Sequence, residues 1–200
     1  MDDHSQRARQ QFGAHAASYA TSPIHAQGAS LARLVELTQP GPDWLMLDVS
    51  TGAGHTALAF APYVKGVIAS DVTPEMLDVA HKLTEERGVK NIEFRPADAQ
   101  AMTFYDNMFD LVTNRIALHH YADARKAIDE MARVCKLGGL VALVDNIVPP
   151  DKQSGGYINH FEKMRPISQL VLSIGAARSD VCRRETEGRT QETIRKEMEF

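Results

Sequence analysis

The chain has 200 residues, 44% of them hydrophobic and 24% charged, with a net charge of −4. Those values suit one compact domain with a sizeable core. Charges of both signs are interspersed, which excludes the basic stripe of a nucleic-acid binder, and no apolar run approaches the ~20 residues of a membrane-spanning helix.

The opening "MDDHSQRARQQF" is polar and charged, so it does not read as a secretory signal. From His4 to about Ala20 the pattern predicts a helix with Phe12, Ala16 and Tyr19 on one face. "TSPIH" breaks it. Gly28 to Thr38 reads as a second helix, turning Leu31, Leu34, Val35 and Leu37 inward. "QPGPD" stops it.

Strands and helices then alternate. "WLMLDV" predicts a buried strand, and His55 to Ala61 a short helix closed by Pro62. "KGVIASD" is a second strand. "TPEMLDVAHKLTEERG" is a helix with Thr73 as N-cap, Pro74 in its first turn and Gly88 at its end. "NIEFRPAD" and "FDLVTNRIA" are strands three and four. Asp123 to Lys136 is a helix, ended by "LGG", and "LVALVDN" is the fifth strand. The fold class that follows is α/β: a doubly wound, Rossmann-like, mostly parallel sheet covered on both faces. Ligands bind such sheets at the C-terminal ends of the strands. Asp48, Asp71, Asp98 and Arg115 stand there.

Three segments emerge: N-terminal helices over 1–40, an α/β core over 41–166, and a charged tail over 167–200. In the tail, Ala177 to Phe200 has only a few large apolar residues: Val181, Ile194, Met198 and Phe200. Cys135 and Cys182 form neither metal spacing nor a disulfide framework, so a reduced, cytoplasmic setting is expected. The eight histidines make no helical pair with ligand spacing, and no metal site is expected.

The stretch "WLMLDVSTGAGHTALAF" carries the chemistry. Gly52-Ala53-Gly54-His55-Thr56-Ala57 satisfies G-x-G-x-x-G/A, with Asp71 at a distance suited to a ribose. That match alone also suits a nicotinamide cofactor and an oxidoreductase. Asp48 weighs against it, because a carboxylate just before the loop gains nothing from a pyrophosphate. A ligand with an ammonium and a sulfonium does gain, and S-adenosylmethionine has both, with a ribose diol and an adenine. Asp71 accepts hydrogen bonds from the two hydroxyls in this reading, and Asp98 from the adenine amino group.

In order along the chain stand "LDVSTGAGHTALAFAP", "VIASDVTPEML", "ADAQAMTF", "FDLVTNRIALHHYAD" and "MARVCKLGGLVALVDN". This set resembles class I S-adenosylmethionine-dependent methyltransferases, specifically the type 11 group that includes ubiquinone/menaquinone-biosynthesis C-methyltransferases. The resemblance covers roughly Arg7 to Arg165. It implies cofactor contacts from Asp48, Ser50, Gly52, Gly54, Asp71, Val72, Asp98, Ala99 and Arg115, with Tyr19 on a lid helix within "QQFGAHAASYATS". It also implies methyl transfer to a small-molecule acceptor by in-line displacement, a quinone-type precursor being one acceptor, with S-adenosylhomocysteine as product. No covalent catalyst is needed, since proximity and orientation supply most of the rate. His119 and His120, after the fourth strand, are the candidate bases or acceptor contacts.

Two departures from the family stand out. Ser50 occupies the place of the loop's first glycine; a positive φ there costs roughly 1 kcal/mol or more. Beyond Pro166 the family's C-terminal hairpin is not recognisable, so it is expected to be missing or altered. The fifth strand would then be an exposed edge, open to a second copy in a homodimer. His160 and Phe161 line either an acceptor pocket or an amphipathic helix. The alternative function is an S-adenosylmethionine-binding module with impaired or no catalysis.

Overall fold

The computed structural model describes residues 3–22, 26 and 28–146, with Gln153 and His160. Its helices are α1 (Asp3–Ala20), α2 (Ala29–Thr38), α3 (His55–Phe60), α4 (Pro74–Glu86) and α5 (Ala124–Val134). Its strands are β1 (Leu45–Val49), β2 (Gly66–Asp71), β3 (Ile92–Pro96), β4 (Phe109–Arg115) and β5 (Cys135–Val144). They form one sheet in the order β3-β2-β1-β4-β5. Every pairing is parallel, as the alternation of elements predicts. The chain reverses its winding between β1 and β4, and a crevice outside the strand ends at such a point is where this architecture binds ligands.

Strand periodicity divides the core. Leu47 and Val49 join Ile68, Val112, Met131 and Val134 on one face, under α5. Met46 joins Leu34, Phe60, Val67 and Leu111 on the other, under α2 and α3. Successive side chains of a strand point to opposite faces, and β1 has no exposed face at all. Each of these large side chains contributes roughly 1.5–3 kcal/mol by leaving water.

Thr73 takes the extended N-cap conformation with Pro74 at the first turn, as expected, but its side chain makes no capping bond. Asp71 Oδ1 instead accepts from the Thr73 amide at 2.9 Å. At α5, Asp123 is the cap itself and accepts from Lys126 N at 3.0 Å. In α2, Leu31, Leu34 and Thr38 are buried while Val35 and Leu37 are half-buried. Thr38 fits because its hydroxyl donates to Leu34 O at 2.8 Å, so no polar group is left unsatisfied.

The largest difference from the sequence reading lies after α5. The helix stops at Val134, and Cys135 already pairs with Phe109. The register then shifts, with Leu111 opposite Leu140. "LGG" is therefore an irregularity within β5, not the end of a helix. On its outer side β5 pairs with no strand among the described residues. Phe161, the tail and the expected hairpin alteration lie outside the described residues, and His160 is exposed. No helix among the described residues is long and apolar enough to cross a membrane, and none of their side chains form a metal-binding cluster.

Candidate functional site

Four strand ends build the site. β1 leads into the loop Ser50–Gly54, and α3 begins at His55. Gly52 and Gly54 both hold left-handed backbone, at φ 54° and 82°. A Cβ on Gly54 would stand 3.0 Å from Ala80 Cβ, so this glycine lets α3 start against α4. A Cβ on Gly52 would meet no protein atom within 4 Å. The loop backbone there faces open space and admits close approach.

Asp71, at the end of β2, closes on that loop. Its Oδ2 accepts from Gly52 N and its Oδ1 from Thr73 N, each at 2.9 Å. Burial raises its pKa above the ordinary carboxylate value, and the two backbone donors oppose that rise. Asp71 and the glycine loop, paired by spacing in the sequence, are thus in direct contact. Val72 follows, half-buried.

Asp48 is placed differently. It is 1% exposed. Its Oδ2 accepts from Thr51 Oγ1 at 2.6 Å and its Oδ1 from Thr113 Oγ1 at 2.8 Å. Its carboxylate lies beneath the loop and ties it to β4. Burial raises its pKa to about 6, against the hydroxyl bonds and the charge of Arg115. Arg115, at the end of β4, is buried as well, and its Nε donates to Ser30 Oγ of α2 at 3.4 Å.

Asp98 follows β3, half-buried, and its Oδ1 accepts from Gln100 N at 2.9 Å in a turn that orients the carboxylate. Ala99 packs in the core below α5. Tyr19 on α1 accepts through its carbonyl from His55 Nε2 at 3.0 Å, which docks α1 beside the glycine loop. Burial lowers the His55 pKa. The Tyr19 and Phe12 rings meet edge-on at 6.0 Å, and Phe12 meets His120 at 5.0 Å. His119 and His120 sit in a short 3-10 turn after β4, with ring centroids 3.9 Å apart.

Several residues here were not singled out in the sequence. Asp145 follows β5 and accepts from His119 Nδ1 at 2.6 Å. It satisfies the same strand-end rule that selects Asp48, Asp71 and Asp98, so the signal was there. Thr51, Thr113, Asn114 and Tyr121 have no such signal; each is a hydroxyl or amide whose role depends on what lies across the sheet. Two non-glycine residues with positive φ flank the switch point, Ser50 after β1 at 54° and Ile116 after β4 at 57°. Strain of this kind concentrates at functional sites.

Comparison with known proteins identifies the family of this fold. The methyltransferase domain family matches residues 47–143. The uncharacterised methyltransferase YcgJ of Bacillus subtilis (strain 168) is 38% identical over 159 residues, which are 80% of this chain and 63% of YcgJ. The solved YcgJ structure matches with a TM-score of 0.73, over 76% of this chain and 65% of that one. A solved protein of Bacillus halodurans C-125 is 35% identical with a TM-score of 0.75, over 77% of this chain and 67% of that one. UbiE of Zymomonas mobilis, a ubiquinone/menaquinone biosynthesis C-methyltransferase, is 35% identical over 105 residues, 52% of this chain and 43% of UbiE. The chain therefore spans less than two thirds of the curated relatives it matches. The parallel sheet in the order β3-β2-β1-β4-β5 fits that family, and the chain belongs to the class I S-adenosylmethionine-dependent methyltransferases.

Proposed function

We propose that the chain binds S-adenosylmethionine in the crevice between β1 and β4 and directs its methyl group to a small-molecule acceptor. The contact between Gly52 N and Asp71 Oδ2 carries this reading. It joins a backbone open to close approach with a buried carboxylate that retains lone pairs for a ribose diol. The open space at Gly52 fits such a ligand. S-adenosylmethionine supplies an activated methyl group on a sulfonium.

The protein's share is to hold, orient and exclude water. Asp71 and Val72 hold the ribose side, Asp98 and Ala99 the adenine side, and Gly52 and Gly54 the amino-acid portion. Asp48 acts from below, by locking Thr51 and Thr113 and so the loop's shape. Arg115 adds a buried positive charge beside it, toward a ligand carboxylate. Tyr19 and Phe12 cover the site from α1. His119, steadied by Asp145, presents Nε2 as a proton acceptor for a hydroxyl or enolisable carbon, and His120 lines the acceptor side. Similarity to UbiE supports a quinone-type precursor as acceptor. Cys135 is a free, buried thiol, in keeping with a reduced cytoplasmic setting.

Calorimetric titration with S-adenosylhomocysteine, with NADH as control, tests the cofactor reading. Selective micromolar binding is expected. Binding without transfer to any acceptor would favour a cofactor-binding module over an enzyme. Preference for NADH would overturn the reading.

A further inference from the structure

Ser50 has a conformation that favours glycine, at φ 54°. An L side chain there crowds the following carbonyl. A built arrangement surrounds it. Ser50 Oγ lies 2.7 Å from Tyr121 Oη. Asn114 Nδ2 donates to Tyr121 Oη at 2.7 Å and to Val49 O at 2.9 Å. The Val49 carbonyl only accepts, so it is the amide NH₂ of Asn114 that faces both partners. Asn114 is wholly buried on β4, which leaves the tyrosine hydroxyl little freedom. Burial also pushes the Tyr121 pKa up, so the hydroxyl stays neutral. Ser50 follows β1 and Tyr121 follows β4. The clasp thus spans the switch point.

We propose that Tyr121 is a positioning residue for the cofactor loop: its hydroxyl, held by Asn114, ties Ser50 in the left-handed conformation and keeps the loop preformed. The proposal rests on the reading that this loop holds S-adenosylmethionine. A loop that is only partly in its competent shape binds more weakly by that fraction. The clasp offsets the steric cost of serine. A glycine at the same position needs no clasp.

Four proteins test this: wild type, Tyr121→Phe, Ser50→Gly and the double variant, each titrated calorimetrically with S-adenosylhomocysteine. Tyr121→Phe is expected to weaken binding roughly three- to tenfold, the range of one net hydrogen bond. Ser50→Gly supplies a reference affinity of its own, against which the double variant is read. Adding Tyr121→Phe to Ser50→Gly is expected to cost no more than about twofold, so the two sites couple. An equal loss in both backgrounds, or no loss in the first, overturns the proposal.

Hydrogen exchange in the ligand-free proteins separates the clasp from the cofactor reading. The Thr51 and Gly52 amides donate to Ser70 O and Asp71 Oδ2, so their protection reports opening of the loop. Faster exchange in Tyr121→Phe, restored in the double variant, supports the clasp even if wild type binds no S-adenosylhomocysteine; that failure would count against the cofactor reading alone. Unchanged exchange in Tyr121→Phe overturns the clasp.

Discussion

His119 Nδ1 lies 2.6 Å from Asp145 Oδ1, joining the turn after β4 to the end of β5. The Asp145 carboxylate also accepts from the His119 backbone amide, at 3.3 Å. A carboxylate on Nδ1 keeps the proton on that nitrogen and leaves Nε2 with its lone pair.

The expected consequence is kinetic. With an acceptor that must lose a proton, His119→Gln lowers kcat by roughly 10²-fold or more, the range of general-base catalysis. Asp145→Asn lowers it in the same direction by disturbing the tautomer. Affinity for S-adenosylhomocysteine stays within about twofold in both. Product release from the variants, followed against calorimetric affinity, checks this. Equal kcat in wild type and His119→Gln would show the pair to be a structural pin.

Asp71→Ala is expected to weaken S-adenosylhomocysteine binding by roughly 1–3 kcal/mol, through lost charge-assisted hydrogen bonds and a released Gly52 amide. Titration of a variant with a native circular dichroism spectrum is the measurement. Unchanged affinity defeats the ribose assignment.

Asp48 makes a prediction about pH. Its folded pKa is raised to about 6 by burial, so the folded state binds its proton more tightly than the unfolded chain does. The stability this contributes is fully present below the unfolded value near 4 and is lost as pH rises through about 6. Asp48→Asn removes that dependence. The variant is therefore expected to gain on wild type by roughly 2–3 kcal/mol between pH 4 and pH 7, with Asp71 titrating equally in both proteins. Urea unfolding across that range measures the difference, and parallel pH profiles would count against it.

The two loop glycines are expected to fail in different ways. Gly54→Ala forces a Cβ against Ala80 at positive φ and destabilises the fold by roughly 1–3 kcal/mol. Gly52→Ala meets no protein atom and carries only the backbone strain, about 1 kcal/mol. On the proposed cofactor reading, its methyl stands where S-adenosylmethionine approaches, so affinity falls further than stability does. Thermal melts and titration of the two variants separate these effects.

The sequence by itself determined the alternation of strands and helices, the burial of β1 on both faces, and the acids at the strand ends. These are local properties: side-chain periods of 2 and 3.6, caps and glycine turns act over a few residues. It also determined the family, through five motifs in order. Only the tertiary structure decided which side chains meet. Thr113 reaches Asp48 across 65 positions and Tyr121 reaches Ser50 across 71. Parallel pairing in the order β3-β2-β1-β4-β5 brings them together. That pairing also turned Asp48 from a ligand-facing acid into a buried brace, tied Ser50's hydroxyl to a tyrosine, and gave His119 its carboxylate. Hydrogen-bond partners within about 3 Å depend on strand register, and register arises only when the sheet packs as a whole.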